Sequence, residues 1–417
     1  MRLPETGPAR DRAIALLFAV ASAAFRLPRL GFPEAEMFDE VYHAKTALQY
    51  LNGESPTEWV HPPTAKLLIA IGVWIFGYEP WAWRLFPVAA GIALAPVFYY
   101  LARTVLATER APVLATALLL ADGVYLVQSR TAMTNIFAVL FQVSAALFVV
   151  RAVLPPAMSA RAMAWAGVFL GLALSTRWTS LWAWGFLGLV MLVVRGRRLF
   201  TVRELALAVA TFALIPFVLY VLSYGPWMGQ GHHISTLWEH TQAVWGYHAN
   251  LRAEHPYFSS WYTWPWLYRP TWYYFTQVDQ TVRGIVALGN PLLWWVSVPV
   301  SAWALVTGFR ARDPRLIFTG VGFACLYLPW GISPRTLNYG HYLFEAIPYA
   351  CLTLGLLLDR HWDGPRRGVA RPYLYATLGL FLYFYPFLAA LPLPASAYYH
   401  RILGTPVRLW TWFSTWV

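Results

Sequence analysis

Charge is scarce in this chain. Only 12% of its 417 residues are Asp, Glu, Lys or Arg, about half the share of a soluble domain, which averages roughly 25%. So few charges could not coat a water-soluble surface of this size, and a soluble enzyme is excluded. Lysine is rarer still: Lys45 and Lys66 stand against 29 arginines. Cys325 and Cys351 are the only cysteines. Each lies inside an apolar run, where packing is expected rather than a disulfide or a metal site. No glycine-rich phosphate loop occurs, so nothing calls for a nucleotide sugar. Neither a soluble domain, an internal repeat nor a low-complexity tail can be picked out.

What is abundant is apolar and aromatic. Hydrophobic residues make up 59% of the chain and aromatic ones 17%, with 23 Trp. Repeated apolar runs of roughly 17 to 23 residues match the thickness of a bilayer. The tryptophans suit interfacial belts and wide outer platforms. An all-α polytopic membrane protein is expected. The formal charge of +12 needs no nucleic acid, because the arginines sit in short clusters between apolar runs, the positive-inside pattern. The first run ends in Arg26-Leu27-Pro28-Arg29 without a small-residue cleavage pattern. A retained first helix over about 12–30 is therefore expected, entered from the cytoplasm behind Arg2, Arg10 and Arg12.

One segment decides the topology. Pro62-Pro63 suits a helix start and Gly77 a helix end. The stretch between them, about fifteen residues, spans roughly 22 Å as helix, short of the hydrocarbon core of about 30 Å. If 64–78 stays at the interface, eleven spans follow: 12–30, 85–107, 112–128, 133–152, 163–176, 178–195, 205–224, 286–308, 316–331, 345–359 and 373–391. Fifteen arginines after position 84 then face the cytoplasm. Eight face outward: Arg130, Arg177, Arg252, Arg269, Arg283, Arg335, Arg401 and Arg408. A crossing helix would invert the ratio, so the non-crossing arrangement is preferred. It gives a single domain over 1–417, with a large first external loop at 32–84 carrying juxtamembrane helices. A second, aromatic-rich external segment covers 225–285. Nine of the ten histidines lie on the outer side, and chemistry is expected there.

Within the first loop, Phe38-Asp39-Glu40-Val41-Tyr42-His43 opens an amphipathic helix reaching about Asn52, with Val41, Ala44, Leu48 and Leu51 as its apolar stripe. Neighbouring residues diverge by about 100° on a helix, so Asp39 and Glu40 cannot serve one reacting atom. One is a candidate base and the other an orienting group; the plain alternative is a solvated helix N-terminus. Lys66, Arg84, Arg130, Arg177 and Arg335 are outer-edge cations suited to a phosphate, weighed against snorkelling at helix ends. Asp122, close to Arg130, is expected to satisfy a buried partner. His232-His233, His240 and His248 share a probable helix but lack nearby carboxylates, so no metal set is expected; a divalent cation is left open as the sole cofactor.

The residues also carry a resemblance. Phe38 to Lys45, His61-Pro62-Pro63-Thr64-Ala65-Lys66-Leu67-Leu68-Ile69-Ala70 and Trp83-Arg84-Leu85 resemble the protein O-mannosyltransferase family. So do Ser129-Arg130, Ser175-Thr176-Arg177-Trp178, Ala287 to Trp295 and Arg335 to Pro348. Trp245-Gly246-Tyr247-His248 through His255-Pro256-Tyr257-Phe258-Ser259-Ser260-Trp261 resembles its bacterial branch. The resemblance implies a membrane glycosyltransferase fold in the bacterial plasma membrane, with the site on the extracytoplasmic side. It implies an inverting reaction from a polyprenyl-phosphate-mannose donor to Ser or Thr hydroxyls of proteins. By position Asp39 matches the family's catalytic acid residue and Glu40 its partner. The phosphate contacts would come from the five cations, and acceptor or sugar contacts from His43, His61, His255, Trp261, Asn290, His341 and Tyr342. Two departures stand out. The roughly sixty residues of 225–285 leave no room for the β-trefoil insert of eukaryotic members. Asn135 occupies a position where many members have an acid. A related transferase acting on a lipid or glycan is the nearest alternative. A transporter would need midplane charges and an inverted repeat.

Overall fold

The computed structural model describes residues 7–398, 401–402, 405–406 and 410–416; Arg2 and Arg408 lie outside them. In chain order the first helices are α1 (Pro8–Arg26), α2 (Glu40–Leu51), α3 (Thr64–Phe76), α4 (Pro80–Leu106), α5 (Ala111–Leu120), α6 (Gly123–Arg130), α7 (Thr134–Val153), α8 (Ala160–Leu174) and α9 (Ser180–Arg195). Helices at Val202–Ser223, Pro291–Ala311, Pro314–Tyr327, Ile347–His361 and Arg367–Leu388 complete the bundle. Each of the eleven expected segments carries a helix. Five of these helices are long and apolar enough to cross a bilayer unaided, and six if bent α5–α6 counts as one span. The protein is a multi-pass membrane protein.

Sequence explains which helix sits where. α7 is apolar on every side, the mark of a helix surrounded by others, and 83% of its most apolar window is buried, against 17% for Val202–Ser223. α4 and α8 flank α7, while Ile347–His361 packs on α5. α3, with 13 residues, is roughly 20 Å long and too short to cross. It is pinned through Thr64, whose N–H and hydroxyl bond the carbonyl (3.0 Å) and hydroxyl (2.7 Å) of Ser175. α5 and α6 meet at 59°. There Asp122 caps α6 by accepting from Tyr125 N at 2.8 Å, and it also accepts from Trp294 Nε1 at 2.6 Å.

Two small sheets among the described residues depart from an all-α reading, one of them the pairing of Arg401–Ile402 with Thr405–Pro406. The other, at the end of the external segment expected over 225–285 and running two residues past it, is an antiparallel hairpin, β1 (Thr271–Val278) and β2 (Thr281–Ala287), extended by the short β3 (Leu393–Pro394). The β-branched and aromatic residues of both strands favour the pleated form, and Asp279 takes the left-handed φ of +51° at the turn. Gly284 is required by close approach: a Cβ there would lie 2.5 Å from the Trp272 ring and 2.8 Å from Phe387. The hairpin places Tyr273 against the first external loop. A second bridge comes from Leu237–Asn250, whose His248 bonds the Val60 carbonyl at 2.8 Å.

Candidate functional site

The turn into α2 divides its two acids. Glu40 is fully buried, and Arg84 grips it with both carboxylate oxygens engaged, Nε to Oε1 at 2.8 Å and Nη2 to Oε2 at 2.7 Å. The backbone N–H groups of Ala132 (2.9 Å) and Met37 (3.2 Å) complete its shell. A carboxylate so enclosed is a structural anchor. Asp39 differs: it is partly exposed, and among the described residues no hydrogen bond reaches its carboxylate. Burial raises its pKa above the ordinary value, against the pull of His43, Arg177 and Arg335. A raised, unpaired carboxylate is the state a general base needs.

Phe38 fixes that carboxylate's surroundings. It adopts φ +51°, rare for a bulky residue, and its ring stacks on Tyr273 with centroids 4.2 Å apart. The rings of Tyr339, His341 and His255 meet it edge-on at 5.7, 6.0 and 6.4 Å. Residues from the first loop, β1 and the segment before Ile347–His361 thus converge beside Asp39.

Glu58, which sequence reasoning passed over, is the hub of the loop. Its Oε1 accepts from the His61 backbone N–H (3.0 Å) and ring Nδ1 (2.7 Å), while the Lys66 ammonium contacts Oε2. Lys66 also donates to the carbonyls of Glu58 and His61 at 2.8 and 2.7 Å. Burial works to raise the Glu58 pKa, but Lys66 and His61 outweigh it and hold the carboxyl well below its usual range. The signal in sequence was an acid three residues before His61 and eight before the buried lysine. His43, Glu58 and His61 bring ligand-capable atoms within 4.8 Å of one another, a cluster that spacing did not reveal. Both Glu58 oxygens are already taken, and Lys66 brings positive charge to the same point. The cluster fits hydrogen bonding better than a cation.

Beyond His61 opens a cavity of about 840 Å³, largely apolar, with His61, Arg177, Trp178, Trp245, His248 and Arg335 in its wall. His248 donates through Nε2 to Val60, so its Nδ1 accepts from Arg335 Nη1 at 3.2 Å and the ring is neutral. Arg177 donates to Thr134 Oγ1 (3.1 Å) and Asn135 Oδ1 (3.0 Å) and faces Glu345 at 3.7 Å. Glu345 is itself held by Thr179 and Gln142 at 2.8 and 3.0 Å. Two guanidinium groups in the wall of an apolar chamber can hold an anionic group with a long apolar tail.

The expected phosphate ligands therefore separate. Arg177 and Arg335 line the cavity; Lys66, Arg84 and Arg130 do not. Lys66 is fully buried on Glu58. Arg84 adds the carbonyls of Leu30, Pro33 and Ala35 to its Glu40 contact. Arg130 binds the carbonyls of Phe25, Arg26, Pro28 and Arg29. Each cation found an oxygen partner inside the fold, which the sequence does not disclose. His43 donates from Nδ1 to Ala132 O at 2.8 Å. His255, His341 and Tyr342 lie in the aromatic cluster by Phe38, with Arg177 over the Tyr342 ring at 5.2 Å. Trp261 packs on Tyr327. Asn290 is a buried joint instead of a sugar contact: it caps Pro291–Ala311 and donates to Ala121 O (2.9 Å) and Thr377 O (2.8 Å).

Known proteins resemble the chain over nearly its whole length. Residues 16–83 and 60–222 match family models described as dolichyl-phosphate-mannose-protein mannosyltransferase. Residues 233–416 match the C-terminal four-transmembrane region of protein-O-mannosyltransferase. A polyprenol-phosphate-mannose–protein mannosyltransferase of Mycolicibacterium smegmatis is 30% identical, across 98% of this chain and 93% of its own. Its Mycobacterium tuberculosis counterpart is 29% identical, over 90% and 87%. In fold, the chain is similar to the Saccharomyces cerevisiae Pmt1–Pmt2 complex bound to the sugar donor. The TM-score is 0.82 at 14% identity, covering 93% of this chain and 91% of that one. It is also similar to ArnT from Cupriavidus metallidurans bound to undecaprenyl phosphate (TM-score 0.55, 18% identity, 84% of this chain and 60% of that one).

Proposed function

Because the chain belongs to the protein O-mannosyltransferase family, we propose that it transfers mannose from a polyprenyl-phosphate-mannose donor to Ser or Thr hydroxyls of proteins. The observation that carries the reading is the Asp39 carboxylate, without a hydrogen-bond partner among the described residues and within electrostatic reach of Arg177 and Arg335, which line the cavity. The lipid tail occupies the apolar chamber, and the two guanidinium groups hold the phosphate and stabilise the charge it gains on leaving. Asp39 takes the acceptor proton as the hydroxyl oxygen attacks the anomeric carbon opposite the phosphate, which inverts that centre. Glu40 and Arg84 lock the turn that presents Asp39. The site faces the extracytoplasmic side, a placement supported by the arginine distribution.

Mass spectrometry of secreted and membrane proteins from a deletion strain and its complemented partner tests the reading. Hexose-modified Ser/Thr peptides should vanish on deletion and return with the wild-type gene. They should stay absent with Asp39→Asn. Glycopeptides unchanged by deletion would overturn the function.

A further inference from the structure

His43, His61 and Glu58 stand between the base and the cavity, yet the transfer as described leaves them idle. His43 follows Asp39 by one helical turn on α2, the i, i+4 spacing that shares a face. Its ring lies 6.4 Å from that of His61, centroid to centroid, and polar atoms of His43, His61 and Glu58 fall within 4.8 Å of one another. One bridging water spans such a gap. His61 reaches the cavity wall. With its Nδ1–H tied to Glu58 at 2.7 Å, Nε2 is the nitrogen left to exchange a proton. A carboxylate behind an imidazole stabilises the imidazolium, as in hydrolase triads.

We propose that His43 and His61 form a proton relay from Asp39 to the leaving lipid phosphate. The inference rests on the transfer proposed above. The acceptor O–H bond breaks as the new O–C bond to the sugar forms, and the sugar–phosphate C–O bond breaks with its electron pair passing to the phosphate. The proton moves to the Asp39 carboxylate, then to Nε2 of His43, whose Nδ1–H stays on the Ala132 carbonyl; from that nitrogen it passes through one water to Nε2 of His61, and finally to the new phosphate oxyanion. No further reactant is needed, and the phosphate leaves singly charged.

Two physical demands are met together. A second negative charge on a phosphate in an apolar cavity is costly, and a proton left on Asp39 would block the next turnover. The groups facing His61 set its response. Burial, with Arg177 and His248 alongside, pushes its pKa down to about 3 despite Glu58. Asp39 at the start of α2 and Glu58 in the loop favour a proton there, whereas His43, His248, Lys66 on α3, Arg177 and Arg335 oppose it. A phosphate dianion arriving between the two arginines reverses that balance, so His61 charges only when product is present.

The test uses the full-length purified protein, mannosyl transfer to a Ser/Thr peptide, and calorimetric titration with a polyprenyl phosphate in two buffers of different ionisation enthalpy. Near pH 8 the wild type should take up as much as about one proton per phosphate bound, and His61→Gln several-fold less. His43→Gln should retain the uptake and the donor KM but lose kcat at least about tenfold, with partial rescue by added imidazole. Binding without proton uptake in the wild type, or unaltered kcat and pH profile in both variants, overturns the relay. So does one tightly bound metal ion per chain that is lost in His43→Gln, since the cluster would then be a cation site. A wild type that transfers no mannose overturns the function itself, whatever the titrations show.

Discussion

Substituting Arg84 with Met separates an anchor from a phosphate ligand. Arg84 makes two charged contacts to Glu40 and three to loop carbonyls, and both side chains are fully buried. With the guanidinium gone, the Glu40 carboxylate retains only the N–H groups of Met37 and Ala132. Breaking a buried pair from one side costs about 3–5 kcal/mol, because the remaining charge is uncompensated. Pairing Arg84→Met with Glu40→Leu removes that charge and should recover about 2 kcal/mol or more. Recovery stays partial, since five backbone groups lose their partners. Denaturation of the four proteins of this cycle in detergent measures the coupling. Additivity within about 0.5 kcal/mol would refute it. At a temperature where Arg84→Met remains folded, kcat should fall through displacement of Asp39 while donor KM holds. A raised donor KM at unchanged stability would instead put Arg84 on the phosphate and sink the anchor assignment.

Asp39→Asn should cut transfer by roughly 10²–10⁴-fold with donor binding intact, and near-normal turnover would reject the base. Since burial raises the Asp39 pKa and the ionised form is the base, kcat/KM should fall as pH drops through a value above the ordinary carboxylate pKa of about 3.9. An acid limb at or below that value would contradict the assignment. Arg177→Ala and Arg335→Ala should each raise donor KM roughly tenfold or more, in keeping with a charged hydrogen bond of about 1.5–3 kcal/mol; unchanged donor saturation in both would remove the phosphate from this cavity. Glu58 has a depressed pKa, so its contribution to stability is full above the unfolded value of about 4.3 and is lost as pH falls through the lower folded value. Denaturation of Glu58→Gln should therefore depend less on pH across that acid range, and an equally steep dependence would deny Glu58 the role.

Helix placement was legible because it depends on local quantities: apolar run length, the Pro62-Pro63 start, the Gly77 stop and the arginine clusters. The split between Asp39 and Glu40 was legible for the same reason, since helix geometry forbids adjacent residues from converging. Charge partners were not. Lys66 and Arg84 read as free cations, because an oxygen 44 residues away or a main-chain carbonyl leaves no pattern along the chain. The hairpin carried a signal, two β-branched and aromatic runs flanking Asp279-Gln280. Its aromatic residues suit an interfacial platform equally well, which masks the strand pattern. Asn290 misled in the opposite sense: a polar residue in a recognisable segment served a helix cap.

Arg84 and Arg130 together hold seven main-chain oxygens between Phe25 and Ala35. Contacts of that kind do not read side-chain identity. The link from α1 to Asp39 can therefore accept new residues at Glu34 and Ala35, which are exposed, while keeping its path; Glu36 is held by the Tyr78 hydroxyl. Variation there offers a way to alter what approaches the base without redrawing the base itself, and a library confined to those two positions is a natural place to seek changed acceptor preference.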